Sequence, residues 1–419
     1  MKDEIQRGNI IIKNASEIVT PTGCTERHGI EMSELQIIKQ GSILIENGLI
    51  KAIGENTPIL VKAKEKNYTV IDASGMSVLP GFVDSHTHFL FSGSRVEEFY
   101  ERVRGLDYME IMKRGGGINQ TVRHTRSASA SDLYQQGIKY LKEMIKMGIT
   151  TIEGKSGYGL EFETEIRMLM VMNRLRKRAP LSIVITFLGA HAIPPEYKDK
   201  KGEYVNFLIN VLLPYIAKNN LAEFCDVFCE KEVFPLSLSR KLLRKAKSLG
   251  FKIKIHADEM ADSGGSALAA DLGAISADHL LNISATGIKR LAHTHTIATL
   301  LPLTAFCLKK KLPPARKLID EGCAVALATD FNPGSCFSFS VPLMIALSVL
   351  YMDMSLEETI TALTLNGAAA IDRANEIGSI EEGKKADLIL LRYPSYQYLS
   401  YHTGMNIIDR VIKNGRIII

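Results

Sequence analysis

The sequence of 419 residues contains no tryptophan, no long apolar run, no concentrated charge of either sign, and just six scattered cysteines. Without a CxxC pair, neither a zinc knuckle nor a disulfide framework is indicated. No stretch of 18 or more apolar residues could span a membrane, and the charged N-terminus does not resemble a signal peptide. A net charge of +5 without basic blocks argues against nucleic-acid binding. We therefore expect a cytoplasmic protein with neither a membrane nor nucleic acid as partner.

Short β-rich runs separated by turns occupy both ends of the chain. Asn47 and Asn414 each precede a glycine between two apolar runs, and this arrangement is the strongest short-range signal for a β-hairpin. Because the terminal segments share this character, we expect them to form one small β-sandwich domain from residues 1–75 and 375–419.

The intervening segment alternates β-like and helical patterns. The β-like runs read SVLPGFVDSH, GITTIEGKS, LSIVITFLGAH, FKIKIHAD, AISADHL, TIATLLP and CAVALATD. Segments between them, such as ASDLYQQGIKYLKEMIKMG, have apolar residues every three or four positions, as amphipathic helices do. This alternation predicts an α/β fold in which residues 76–374 form a (β/α)8 TIM-type barrel. No GxGxxG motif follows the first run, which argues against a dinucleotide-binding domain.

Two histidine pairs have HxH spacing. His86 and His88 follow the apolar run VLPGFV, and alternate residues of an extended chain point to the same face, so both imidazoles can converge on one ion. Zinc and iron accept such ligands, although an isolated HxH pair is more often two surface or hydrogen-bonded histidines. His293 and His295 precede an apolar run, which would put them on the stability face of a barrel. We assign the metal site to the first pair.

Three further titratable residues end separate β-like runs. His256 follows FKIKI, His279 follows AISAD and Asp330 follows CAVALAT. The carboxyl ends of barrel strands meet at one mouth, where such folds carry their chemistry. Each residue alone could be a hydrogen-bonded polar group in a loop, but the repetition favours a common site. The first histidine pair, a third histidine and Asp330 would suit a single metal ion with room for water.

Several motifs resemble a known family. The runs PGFVDSHTH, HADE, SADH and ATDFNPG resemble the amidohydrolase superfamily. The longer blocks HTHFLFSGSR, KSGYGLEFETE, GAHAIPPEY, IHADE and ATDFNPGS are similar to its imidazolonepropionase family and lie in order between about residues 80 and 340. The resemblance implies a metal-bearing (β/α)8 barrel with a small β-sandwich. It also implies hydrolysis of the cyclic amide C–N bond of 4-imidazolone-5-propanoate to N-formimidoyl-L-glutamate, in histidine degradation.

The resemblance also implies a role for particular residues. The metal ligands would be His86, His88, His256 and Asp330. The catalytic groups at the reacting ring would be Asp330, Glu259 and His279. The small-molecule substrate or product would be contacted by Arg95, Tyr158, His191, Glu259, Asn332, Gly334 and Ser335. One divalent or trivalent ion per subunit, Zn²⁺ or iron, and a homodimer are expected.

Residue chemistry is compatible with these roles. A small cyclic amide with a propionate tail needs a water activator, a proton carrier and an anion clamp. Asp330 and Glu259 can each act as general base, and the sequence does not decide between them. His279 can stabilise a developing oxyanion. Arg95 offers a planar fork for a carboxylate, although a surface salt bridge explains it equally well. Tyr158 lies in a glycine-flanked turn that favours a loop over a ligand, with a packed aromatic side chain as the alternative.

The number of ions and the exact reaction have alternatives. Some amidohydrolases bridge two metals with a carboxylated lysine that ends the fourth barrel strand. The run LSIVITFLGAH, assigned to that strand, delivers His191, and Lys155 ends an earlier run, so we expect one ion. Cys336 and Leu303 depart from the family pattern, which leaves the fine substrate fit open. The competing functions are another hydrolase or deaminase of the superfamily, and an inactive scaffold, which would be expected to lose metal ligands.

Overall fold

The computed structural model describes residues 9–62, 68–106, 110 and 116–419. Its strands, in chain order, are β1 (Ile10–Thr20), β2 (Gln36–Glu46), β3 (Leu49–Glu55), β4 (Thr69–Asp72), β5 (Ser77–Pro80), β6 (Phe82–Asp84), β7 (Ile149–Lys155), β8 (Ser182–Ala190), β9 (Phe224–Cys229), β10 (Lys252–Ala257), β11 (Ser276–His279), β12 (Ile297–Leu300), β13 (Val325–Leu327), β14 (Leu388–Leu391), β15 (Ile408–Lys413) and β16 (Arg416–Ile417).

The α-helices of the described residues are α1 (Asn56–Lys62), α2 (Val96–Val103), α3 (Ile118–Ser127), α4 (Ala130–Met144), α5 (Phe162–Arg176), α6 (Lys201–Phe207), α7 (Leu213–Lys218), α8 (Leu236–Ser248), α9 (Gly265–Leu272), α10 (Ala285–Ala292), α11 (Pro302–Cys307), α12 (Ala315–Asp320), α13 (Val341–Tyr351), α14 (Leu356–Leu363), α15 (Leu365–Ala369) and α16 (Tyr398–Tyr401). Short 3-10 helices cover Gly29–Ser33, Ile145–Met147 and Pro195–Tyr197, and a π-helical turn covers Leu208–Leu212. Within the described ranges, no helix is both long enough and apolar enough to cross a lipid bilayer.

Strands from both ends of the chain form one sheet, in the order β16-β15-β14-β5-β1-β2-β3, with β4 beside β1. The long strand β1 pairs with β4 through its first half and with β5 through its second half, and a bulge after Ile12 separates the halves. Buried aliphatic side chains from both parts share a core that includes Ile12, Ile45, Val78 and Leu390. These pairings confirm the predicted β-sandwich domain.

The chain passes from this sheet into the barrel at Gly81. The sequence predicted one barrel strand over SVLPGFVDSH, and this was wrong, because β5 pairs with β14 and β1 while β6 pairs with β7. A side chain at Gly81 would come within 2.3 Å of the Thr150 methyl group, so only glycine allows this close crossing. The domain limits 1–75 plus 375–419 and 76–374 remain a prediction. Strand β5 belongs to the sheet that is formed from the two ends of the chain.

Strands β6 to β13 form a parallel eight-stranded sheet in sequential order. A parallel bridge between Thr87 and Phe331, just beyond β6 and β13, joins its two edges. All seven residues of β7 are buried, as expected for a parallel strand that is covered on both faces. Together with the surrounding helices, this sheet confirms the predicted (β/α)8 barrel.

The sequence prediction missed one barrel strand. The missed strand is β9, which lies between β8 and β10. Its sequence FCDVFC is short, has a buried Asp226 at its centre and lacks flanking glycine or proline residues that would mark it. The run LSIVITFLGAH is therefore the third barrel strand, and its assignment as the fourth was wrong. The true fourth strand, β9, ends at Cys229 and also supplies no lysine.

Candidate metal centre and active site

The predicted metal ligands come from three separate parts of the barrel. His86 and His88 follow β6, His256 lies within β10, and Asp330 follows β13. The barrel closure sets their relative position, because the Asp330 amide donates to the His86 carbonyl at 3.0 Å and the His88 amide donates to the Phe331 carbonyl at 2.9 Å. The two ends of the barrel sheet thus meet where the ligands lie.

Four donor atoms of these residues converge. The Nε2 atom of His88 lies 3.3 Å from that of His86 and 3.5 Å from that of His256. Asp330 Oδ1 lies 3.6 Å from His86 Nε2 and 3.4 Å from His88 Nε2. Ligands about 2.05 Å from a tetrahedral zinc ion are separated by about 3.3 Å, so these spacings fit such an ion. All four side chains are buried.

Carboxylates lie against the Nδ1 atoms of two candidate ligands. His86 Nδ1 is hydrogen-bonded to Asp278 Oδ2 at 2.6 Å, and Asp226 Oδ2 lies 2.9 Å from His256 Nδ1 without hydrogen-bond geometry. At His86, the carboxylate favours the tautomer whose Nε2 lone pair faces the other candidate donors. Burial lowers the pKa of His86, and the Lys155 ammonium lowers it further. The imidazole is therefore neutral, and a neutral imidazole is the form that can bind a metal.

Beneath the donor atoms, the barrel interior holds five buried charged side chains. They are Glu153, Lys155, Asp226, Lys254 and Asp278. Three carboxyl groups thus lie around two amino groups, and the amino groups of Lys155 and Lys254 both contact Glu153 Oε2, at 2.9 and 3.1 Å. The paired charges lessen the cost of burying each of them.

Lys155 belongs to this network. Its Nζ lies 2.7 Å from Asp226 Oδ2 and 2.9 Å from Glu153 Oε2. Burial opposes the ammonium form, but these two carboxylates outweigh it and raise the pKa of Lys155. A protonated amine that is surrounded by carboxylates does not react with carbon dioxide to form the bridging carbamate of two-metal sites.

His279 and Glu259 lie beside the candidate metal ligands. The ring centroid of His279 is 5.1 Å from that of His256, and neither ring nitrogen of His279 has a hydrogen-bond partner among the described residues. The nearest carboxylate oxygen, Glu259 Oε2, lies 3.5 Å from His279 Nε2. Burial and the charge of Asp330 raise the pKa of Glu259 to about 8. A carboxyl group with this pKa holds its proton at neutral pH.

Two of these groups have unusual backbone conformations. The φ angles of His279 and Asp330 are +80° and +51°, in the left-handed region. His279 is the last residue of β11, and Asp330 lies three residues beyond the end of β13. Left-handed conformations of non-glycine residues are strained and cluster at functional sites, and here they turn both side chains into the mouth of the barrel.

Arg95 is held by Glu98, and within the described part of the chain no hydrogen-bond partner is found for its Nη1 atom. Its Nε and Nη2 atoms lie 2.9 and 2.8 Å from the same oxygen of Glu98, and the other Glu98 oxygen accepts from the Gly117 amide. The Nη1 atom faces Gly334, where an added Cβ would lie 2.0 Å from it. The sequence resemblance implied that Gly334 contacts the substrate or product. The structure adds that a glycine is needed there to admit the guanidinium.

Tyr158 and His191 form an aromatic wall next to the metal ligands. The His191 ring stacks on His88 with centroids 4.8 Å apart and an interplanar angle of 16°. Tyr158 is buried, and its ring lies 5.3 Å from that of His191. The His191 Nδ1 atom lies 3.1 Å from the Gly157 carbonyl. Burial, together with the nearby His256, lowers the pKa of His191 to about 3, so its ring is neutral.

The Asn332 side chain organises the loop after β13. Its Oδ1 atom accepts from the Gly334 and Ser335 amides at 2.9 and 2.8 Å, while its Nδ2 atom donates to the Asp330 carbonyl at 2.7 Å. These bonds fix the turn between Asp330 and Ser335, so the two residues keep a constant relative position. Cys336, the departure from the family pattern, is buried under this loop with its sulfur 3.5 Å from the Thr329 carbonyl.

Sequence reasoning missed the residues that support the ligands. Asp226 and Asp278 contact ligand imidazoles, and the Thr304 hydroxyl donates to Asp330 Oδ2 at 2.7 Å. The sequence could have placed Lys254 near the site, because it precedes His256 by two residues and therefore lies on the same face of the strand. For Asp226 there was none, because its strand was not recognised.

The chain matches the model of the Amidohydrolase family over residues 77–418. It is 56% identical over 414 residues to a protein of Clostridium tetani named imidazolonepropionase, with 99% of each chain covered. It is 53% identical over 413 residues to a protein of the same name from Parabacteroides distasonis, again with 99% of each covered.

Solved structures with the same fold are more distant in sequence. A triazine hydrolase from Arthobacter aurescens superimposes with a TM-score of 0.70 at 16% identity, covering 98% of this chain and 95% of that one. E. coli guanine deaminase superimposes with a TM-score of 0.69 at 16% identity, covering 98% and 99%. These similarities support the fold alone.

Proposed function

Because the chain belongs to the amidohydrolase family and, within it, to the imidazolonepropionases, we propose that it hydrolyses the cyclic amide of 4-imidazolone-5-propanoate to N-formimidoyl-L-glutamate in histidine degradation. The observation that carries the chemistry is the convergence of the His86, His88 and His256 Nε2 atoms with Asp330 Oδ1 at the barrel mouth. The identity of more than half the chain to proteins of that name supports the substrate.

His86, His88, His256 and Asp330 would hold one zinc or iron ion per chain. When bound, the metal would act as a Lewis acid and lower the pKa of a bound water toward about 7. The engagement of the Lys155 ammonium with Asp226 and Glu153 supports a single ion, because no bridging carbamate is available. The nitrogen-rich donor set disfavours magnesium and calcium, which prefer oxygen ligands.

Three residues would handle protons and charge at the substrate ring. Asp330 Oδ2, held by the Thr304 hydroxyl, accepts the proton of the attacking water. His279, neutral because burial and the nearby His256 lower its pKa well below the usual value, donates a hydrogen bond to the ring carbonyl oxygen as negative charge develops there. Glu259 Oε2 donates a proton to the departing ring nitrogen, since its raised pKa keeps it protonated at neutral pH. This division of labour makes Asp330 the base and Glu259 the acid.

The remaining predicted residues would position the substrate. The Nη1 edge of Arg95 pairs with the propionate carboxylate. Tyr158 and His191 lie against the ring at the wall next to His88. Ser335 contributes a hydroxyl from the loop that Asn332 shapes. Glu98 helps by fixing the angle of the guanidinium without occupying the edge that the substrate needs.

We propose in addition that the protein is a cytoplasmic homodimer, an assignment that follows the family resemblance and the general frequency of two-fold assemblies. All six cysteines are unpaired, which is compatible with a reducing compartment. Light scattering of the purified protein would measure its subunit number directly, and a monomer would contradict this assignment.

Steady-state turnover of imidazolone propionate tests the proposed reaction. Formimidoylglutamate should accumulate with one product formed per substrate consumed, and hydantoin and a nucleobase should be much poorer substrates. If either comparison substrate is turned over and imidazolone propionate is not, the protein is a different amidohydrolase. If metal-loaded protein turns over none of the three compounds, the proposed reaction is wrong.

A further inference from the structure

A second cluster of metal-ligating side chains lies at the opposite end of the barrel. Its members are Glu26 and His28, in the segment after β1, and His295, just before β12. Their donor atoms all lie within 4.8 Å of one another, and the other such clusters found among the described residues all include His86. His295 belongs to the second HxH pair of the sequence, which the catalytic site does not use.

The distances within the cluster are those of adjacent metal ligands or slightly shorter. Glu26 Oε1 lies 3.4 Å from His28 Nε2 and 2.7 Å from His295 Nδ1. About 3.3 Å separates two ligands of a tetrahedral zinc ion, so the first distance already fits. The second distance has to lengthen by a few tenths of an ångström. The His295 side chain is 97% exposed, so its ring can move that far without disturbing any packing.

The other two side chains are held in place. His28 Nδ1 lies 3.2 Å from the Gly322 carbonyl, so Nδ1 keeps its proton when the ring is neutral and Nε2, on the side of Glu26, is the atom that can bind a metal. The backbone around His28 is fixed to the barrel base, because Arg27 exchanges hydrogen bonds with the Asn366 side chain at 2.7 and 2.9 Å. The Glu26 side chain is only 11% exposed. A ligand pair on a rigid backbone, with an orienting carbonyl behind the imidazole, is the arrangement of a protein metal site.

We propose that Glu26, His28 and His295 bind a second transition-metal ion, distinct from the catalytic ion and on the opposite face of the barrel. Two imidazoles and one carboxylate suit Zn²⁺, Ni²⁺ or Cu²⁺, with water at the remaining positions, and do not suit Mg²⁺ or Ca²⁺. The bound ion ties the segment after β1 to the loop before β12. Because His295 must be ordered on binding, the affinity is lower than that of the buried catalytic site.

The test titrates Zn²⁺ into the holoenzyme, after its resident metal has been counted by elemental analysis, and follows binding by calorimetry. We expect one further equivalent of Zn²⁺ per chain, which excess Mg²⁺ does not displace. Loss of a group that merely orients a ligand typically weakens metal binding about 10- to 100-fold, so His295→Ala and Glu26→Gln should each weaken this second equivalent by at least about tenfold. Turnover should be unchanged in both variants.

His293→Ala is the matched control, because it removes the other imidazole of the same HxH pair and leaves the cluster intact. The His293→Ala protein should bind the second equivalent of Zn²⁺ as tightly as the unaltered protein does. Electron paramagnetic resonance of added Cu²⁺ should show two coupled nitrogens in the His293→Ala protein and one in His295→Ala. The proposal is overturned if no further equivalent binds, if His295→Ala binds it as tightly as the unaltered protein, or if His293→Ala weakens it equally.

Discussion

Replacing Gly334 with alanine tests the proposed carboxylate clamp without touching any group that would contact the substrate through its side chain. The added methyl group would lie 2.0 Å from Arg95 Nη1 and 2.8 Å from Arg95 Cζ, so the guanidinium has to move. Its other edge is tied to Glu98 at 2.8–2.9 Å, which limits the positions it can take. The backbone of Gly334 does not adopt a positive φ angle, so alanine causes no backbone strain there.

The size of the effect follows from the lost contact. A hydrogen bond to a charged group contributes about 1.5–3 kcal/mol, and about 1.4 kcal/mol corresponds to a factor of ten in affinity. The KM for imidazolone propionate should therefore rise roughly 10- to 150-fold, while kcat changes little, because the clamp holds ground state and transition state alike.

Steady-state kinetics and thermal unfolding would measure this, with Gly202→Ala as the control. Gly202 lies in α6, where an added methyl group meets nothing within 4 Å. A second comparison uses a substrate analogue that lacks the propionate carboxylate, for which the Gly334→Ala and unaltered proteins should have equal kcat/KM. An unchanged KM, or a loss of kcat/KM that is as large for the analogue, would refute the clamp.

Three further predictions concern the metal, the clamp and the proton donor. Asp226→Asn should lower metal affinity roughly 10- to 100-fold in a chelator competition, because the carboxylate supports His256 from the Nδ1 side; unchanged affinity would remove that role. Arg95→Lys should raise KM through the loss of fork geometry, and unaltered kinetics would exclude Arg95 from the clamp. Burial and Asp330 raise the pKa of Glu259 to about 8, so kcat/KM should fall as pH rises through about 8 and the acid form is lost; a profile that stays flat to high pH would contradict the assignment.

The barrel and the convergence of the four candidate ligands at its mouth were predictable because they depend on local patterns. Strand-like runs that end in a histidine or aspartate bring those residues to one mouth, whatever the detailed packing. The same reasoning favoured the first HxH pair over the second as the metal site, because His86 follows a strand and His295 precedes one. The terminal sheet was predictable because its asparagine–glycine turns mark hairpins between β2 and β3 and between β15 and β16.

What could not be predicted depends on contacts between distant segments. Asp226 contacts His256 only because β9 inserts beside β10, and its six-residue run carries no periodic signal. The split of SVLPGFVDSH between two sheets depends on the crossing at Gly81, where the chain passes close to Thr150. The need for a glycine at position 334 beside Arg95 likewise could not be predicted from local sequence. The two residues are far apart in the chain and come into contact only when the barrel closes.

The most direct test of the account is elemental analysis of the purified protein, after passage over a chelating resin, combined with turnover of imidazolone propionate by the same sample and by His256→Ala. We predict about one tightly held zinc or iron ion per chain in the unaltered protein, and the loss of both metal and activity in the variant. An active protein without metal, or a His256→Ala variant that keeps both, would contradict the claim that three imidazoles and a carboxylate hold the ion on which this hydrolysis depends.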